Sequence, residues 1–173
     1  AAATFEGSMM AIKTVNSLSH YTDWTIAHVH SGSLGWVAMI TIASLYAMAP
    51  RALGKPAMHS RRGMELHFWL HMMGTLMYVG SMWTAGVTEG VMWRATQPDG
   101  ALTYPFIASL IAIKPMYLIR WGGGLLILSG MWVMAWNLWH TAADARARLI
   151  KPIPVPIPEP VPHQVPAPLL AAG

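Results

Sequence analysis

The sequence predicts an all-α membrane protein with three transmembrane helices. Two observations carry that prediction: charge is scarce, and what there is lies between long apolar runs. Of 173 residues, 54% are hydrophobic and 10% charged, against about 25% charged in an ordinary soluble domain. The runs cover residues 24–48, 66–87 and 116–139. Each reaches the ~20 residues needed to cross a hydrocarbon layer about 30 Å thick.

Residues 1–21 are mixed in polarity and read as a surface helix or loop on the outer side. Residues 22–49 form the first span, 50–65 a cytoplasmic loop, 66–88 the second span, 89–115 an outer loop and 116–140 the third span. Within the outer loop, "ALTYPFIASLIAI" (101–113) is apolar but too short to span and is interrupted by Pro105, so it reads as an interfacial or re-entrant segment. Residues 141–173 form a cytoplasmic proline-rich tail, with proline at alternate positions from Pro152 to Pro162. Such spacing forbids a helix and favours extended polyproline II, either a stiff tether or a docking strand for a partner. Neither end has the basic stretch, apolar core and cleavage site of a secretory signal.

Orientation follows from the basic residues. Arg51, Lys55, Arg61 and Arg62 in the first connection, with Arg146, Arg148 and Lys151 after the third run, are seven of the 11 Lys and Arg. The positive-inside rule makes their side cytoplasmic and turns the N-terminus toward the outer face. The net charge of +4 needs no nucleic acid to explain it. There is no cysteine, which excludes disulfides, thiolate metal sites and covalent haem attachment.

Ionisable groups inside a bilayer are expensive and usually belong to a site, so the pair His28 and His30 in the first span asks for a reason. At about 100° per residue the two rings project about 160° apart. They cannot chelate one ion, which needs i, i+3 or i, i+4 spacing. They suit two separate ligands, one on each flank, such as large planar cofactors. Ala27, Ser31, Gly32, Ser33 and Gly35 are small enough to let a flat ring or another helix approach. The plainer reading is that both histidines only hydrogen-bond to neighbouring helices. His67 and His71, an i, i+4 pair beside Glu65 at the start of the second span, read as snorkelling or interfacial groups. His140 reads as a cation at the C-terminal end of the third span. His20, at the outer face before Asp23, is placed to approach the His28 face. Arg120, at the outer end of the third span, has the fork geometry to pair with haem propionates.

These residues also carry a resemblance. "TFEG" (4–7), "MMAIKTVN" (9–16), "LSHYTDWTI" (18–26), "HVHSG" (28–32) and "LGWVAM" (34–39), then "HFWL" (67–70), "GVMWRA" (90–95) and the glycines opening the third span, resemble the C-terminal part of the catalytic subunit, subunit I, of cbb3-type cytochrome c oxidases. These are haem–copper oxidases. The resemblance covers about residues 4–140 and implies that the three spans belong to a twelve-helix bundle. It implies that His28 is the proximal ligand of a high-spin haem b facing copper, and that His30 is an axial ligand of a low-spin haem b. It implies that His20 and Arg120 serve the propionates, and that Glu6 is an acidic residue at the oxygen-reducing site with a catalytic role in proton handling. The implied activity is oxidation of cytochrome c and reduction of O2 to water with proton translocation.

The implied partners are the remaining helices of the subunit, monohaem and dihaem cytochrome c subunits, O2 and the lipid bilayer. Ser8 stands where the family usually has proline. The second ligand of the low-spin haem, the copper-binding histidines and the tyrosine cross-linked to one of them have no counterpart in these residues. The resemblance therefore implies a split subunit or a C-terminal piece. A nitric oxide reductase-type haem subunit, a non-catalytic membrane subunit and a dihaem b-type membrane anchor are the other readings the residues leave open.

Overall fold

The structure, a computed structural model, describes residues 2–150; the alternating prolines lie outside the described residues. Those residues contain no strand and fold into helices α1 (Ala2–Met10), α2 (Lys13–Ser19), α3 (Asp23–Gly32), a π-helical segment (Ser33–Ala38), α4 (Met39–Ala52), α5 (Arg61–Arg94) and α6 (Phe106–Ile150). The segments from Asp23 to Ala52 form one continuous rod. That rod and α6 are long and apolar enough to cross a membrane. The middle helix, α5, has 34 residues, about 50 Å of rise, but is more polar than a lipid-facing span. It turns His67, His71, Thr75, Ser81 and Glu89 inward, where they are buried.

Two helix starts have a local side-chain cause. Thr22 is extended, and its Oγ1 accepts the Trp24 N–H at 3.2 Å, opening α3 with Asp23 in the first turn. Ser60 does the same for α5, its Oγ accepting the Gly63 N–H at 3.0 Å. Unpaired donors of a first helical turn are satisfied in this way. Between α2 and α3 the chain reverses at Tyr21, whose φ of 63° is uncommon for a residue with a Cβ.

Two expectations are corrected. Residues 101–113 are not a separate interfacial piece. Only 95–105 form a connection, a small turn closed by the Thr96–Leu102 bridge. Pro105 opens α6 rather than interrupting it, since its carbonyl accepts the Ala108 N–H at 2.9 Å. The helix then passes through Pro115. It also continues past 140 to Ile150, so His140 lies within it, stacked 4.9 Å from His59, and not at a C-terminus.

Helices α5 and α6 pack backbone to backbone. A Cβ on Gly74 would stand 2.8 Å from the Gly123 carbonyl, and one on Gly123 equally near the Gly74 carbonyl. Small residues permit such an approach in membrane bundles. Further along, a side chain on Gly86 would overlap the backbone of Trp24, and one on Gly90 the carbonyl of Leu18. At the other end of the pair, Asn137 on α6 brackets Ser60, accepting its N–H at 2.9 Å and donating to its carbonyl at 2.8 Å. Ala27 of α3 packs on Val79 and Met82 of α5 in a small buried core. Many large apolar side chains, among them Trp36, Ile40, Leu118, Trp121 and Trp132, face outward.

Candidate functional site

The site is built on α3, with α1, α5 and α6 around it. Glu6 on α1 is buried. Its Oε1 accepts the indole N–H groups of Trp24 at 2.9 Å and Trp83 at 2.6 Å, and its Oε2 faces His28 Nδ1 at 3.3 Å. A carboxylate so enclosed is held by donors from α3 and α5 together, which is the condition for burying its charge. Its geometry is that of a group that orients His28.

His30 takes a different partner. Its Nδ1 donates to the Ile26 carbonyl one turn back, at 2.8 Å. Its ring lies 5.3 Å from that of Tyr78. The Arg120 guanidinium stands over Tyr78 at 5.4 Å and pairs with Asp23 Oδ2 at 3.5 Å. Asp23 is held in turn by α5, since Glu89 Oε2 accepts its backbone N–H at 2.8 Å.

Both imidazoles thus spend Nδ1 on a protein acceptor, which leaves Nε2 as the lone-pair nitrogen. A histidine whose second nitrogen donates to a carboxylate or a carbonyl is oriented and tautomerically fixed for metal ligation. Helix α1 approaches this edge of His28 closely at Gly7: a Cβ there would come within 3.3 Å of Nε2, and glycine leaves that space to the ring. Among the described residues no three His, Asp or Glu gather into a set that would hold a metal ion by themselves. One imidazole per site fits an axial position on a haem iron. A cavity of about 540 Å³ touches Glu6, Ser31, Gly35 and Trp83, and another of about 390 Å³ lies between Tyr78, Tyr117 and Arg120.

Of the residues singled out from the sequence, the structure joins Glu6 to His28 and sets Arg120 on the Tyr78 flank of His30. His20 stays apart. It is exposed and packs its ring on Tyr21 at 4.1 Å. His67 and His71 do not snorkel, since each is 1% exposed. Trp24, Trp83 and Glu89 were not foreseen as parts of the site. The Gly86/Gly90 pair, a small-residue spacing, was the available signal that a neighbour comes close beside Glu89. No sequence signal marked the π-helical segment directly after the histidines, although such segments recur at functional sites.

The sequence also matches known proteins. Residues 1–126 match the family described as Cytochrome C and Quinol oxidase polypeptide I. The chain is 54% identical over 144 residues to the cbb3-type cytochrome c oxidase subunit CcoN1 of Stutzerimonas stutzeri, covering 83% of this chain and 30% of that protein. It is 46% identical over 151 residues to the bacteroid cytochrome c oxidase subunit 1 homolog of Bradyrhizobium diazoefficiens, covering 87% and 28%. With cytochrome c oxidase subunit 1 of Rhodobacter capsulatus it shares 50% over 141 residues, 82% and 26%. The chain therefore spans less than a third of the length of these relatives.

Proposed function

The chain belongs to the cytochrome c and quinol oxidase polypeptide I family, and from that premise we propose that it is the haem-carrying segment of a cbb3-type terminal oxidase. In this reading α5 is a third membrane span between the rod and α6, the chain sits in a bacterial inner membrane, and its N-terminus faces the periplasm. The complex oxidises cytochrome c, reduces O2 to water and translocates protons. Its other parts are the remaining helices of the catalytic subunit and monohaem and dihaem cytochrome c subunits.

One observation carries the proposal: two imidazoles on opposite flanks of one helix, each tied at Nδ1 and left with Nε2 for a metal. His28 would hold the high-spin haem b through Nε2, and His30 the low-spin haem b. When bound, the haems supply electron transfer and, with copper held by residues outside this chain, oxygen reduction. The protein residues do the rest. Glu6 aims His28 and raises its basicity, since a carboxylate partner strengthens a ligating imidazole. Arg120, anchored by Asp23, offers its remaining N–H groups to propionates on the Tyr78 flank. His20, at the turn before α3, is the second candidate for those groups.

The test is spectroscopic, on the purified complex. His28→Ala should lose the high-spin haem signal while retaining low-spin absorbance, and His30→Ala should do the reverse. Loss of the same component in both variants, or of none in either, would overturn the assignment.

A further inference from the structure

A second polar feature lies along α5, away from the histidines of α3. His67, His71 and Thr75 occupy successive turns of one helix face, eight residues or about 12 Å of rise from first to last. All three are buried, and among the described residues His67 Nε2, His71 Nδ1 and Thr75 Oγ1 have no hydrogen-bond partner. The other nitrogen of each histidine is taken. The Tyr46 hydroxyl meets His67 Nδ1 at 2.8 Å, and His71 Nε2 meets the Leu34 carbonyl of the π-helical segment at 3.2 Å. With the Leu34 carbonyl as acceptor, His71 Nε2 carries a proton and its Nδ1 is a bare lone pair. With the Tyr46 hydroxyl as donor, His67 Nε2 is an N–H. A donor and an acceptor therefore sit one turn apart, on rings whose centroids are 5.9 Å apart, and a water molecule reaching both would accept from the first and donate to the second.

The ends of this line matter as much as its middle. Tyr46 lines a cleft of about 350 Å³ with Arg51, Arg61 and Met64 at the junction of α4 and α5. Thr75 lines the cavity of about 540 Å³ that also touches Glu6. The three unpartnered atoms thus lie between one cavity and the other. Water is the ligand that fits: buried polar atoms are almost always satisfied, by water where protein offers nothing, and no metal-binding triad gathers among the described residues.

We propose that Tyr46, His67, His71 and Thr75 hold a file of bound water that conducts protons along α5 from the Arg51–Arg61 cleft to the cavity beside Glu6. Each proton entering at one end is matched by one leaving at the other, passed between hydrogen-bonded neighbours as in other intramembrane histidine relays. The hydration is independent of the oxidase reading; its use to supply protons to oxygen chemistry rests on it.

The experiment has two arms, both on the complex that carries this chain, purified from its native membrane. Hydroxyl-radical footprinting by X-ray pulses in ¹⁸O water should label Tyr46, His67 and His71 within milliseconds, while Met82, equally buried but in the apolar core, stays unlabelled. Thr75→Val removes only the hydroxyl; it should slow turnover at least fivefold and raise the solvent isotope effect with haem spectra unchanged, and Thr75→Ser should restore both. Absence of label at the histidines, or wild-type turnover in Thr75→Val, would overturn the proposal. A complex that lacks haem altogether would sink the oxidase reading instead, and the footprint would still decide the water file.

Discussion

Two buried polar regions share this small bundle, and they are finished differently. Around Glu6, the carboxylate receives Trp24, Trp83 and His28, and the neighbouring Asp23 is clasped by Glu89 and Arg120. Around His67 and His71, each ring has one nitrogen bonded and one without a partner. The first arrangement satisfies its charge with protein groups from three helices, so it fixes geometry. The second leaves alternate valences open in a line, so it suits something that exchanges. A ligand-holding site needs the former, because a misplaced axial imidazole changes what the metal does.

Breaking the first region should cost the most. Glu6→Ala strands the two indoles and the His28 N–H; removing an acceptor from a buried cluster costs on the order of 1–3 kcal/mol. We expect about 2 kcal/mol lost from the thermal stability of the complex, together with loss or downshift of the high-spin haem signal. Glu6→Gln, which keeps one carbonyl acceptor, should retain the haem with a shifted potential. If Glu6→Ala leaves spectrum and stability intact, the carboxylate does not orient His28.

Glu89→Ala is the next largest. It removes the acceptor that holds the first N–H of α3, a loss comparable to a helix cap at about 1 kcal/mol. Because His28 and His30 ride on that helix, the variant should broaden or shift both haem signals without abolishing either. Glu89→Gln keeps a carbonyl oxygen and should resemble the wild type. Unchanged spectra in Glu89→Ala would show that α3 is positioned without this clasp.

The smallest effect belongs at the far end of α6, beyond the proposed span. There the hydrogen bond from His59, at 2.9 Å, holds the Asp144 carboxyl below its ordinary value, helped by Lys55 at 3.5 Å. A carboxyl depressed in the folded state contributes stability above its unfolded value and loses that contribution as pH falls through the folded one. Asp144→Asn should therefore lower thermal stability slightly at neutral pH, and the difference between the two proteins should shrink only as pH falls below the ordinary carboxylate value of about 4 and on through the depressed folded one. A difference that persists in acid would point to packing rather than charge.

The contrast between the regions also explains what could be read from the chain alone. His28 and His30 stand out because two histidines in an apolar run are rare and helical twist separates them. Glu6 was recoverable only through the resemblance carried by "TFEG". Its partners were not: Trp24 and Trp83 lie 18 and 77 residues away, and tryptophan in a membrane helix is ordinarily an interfacial residue. His67 and His71 looked interfacial because Arg61, Arg62 and Glu65 precede them. Their burial depends on Tyr46 from α4 and on Gly130 of α6, where a Cβ would come within 3.1 Å of the His67 ring. Pro105 suggested a break, whereas it opens α6, and Pro115 is absorbed within that helix.

The most direct measurement is a cryo-EM density map of the complex around α3. The account predicts tetrapyrrole density on both flanks of that one helix, with one iron on Nε2 of His28 and the other on Nε2 of His30. Imidazoles contacting only protein or lipid, or a single porphyrin shared by the pair, would contradict it.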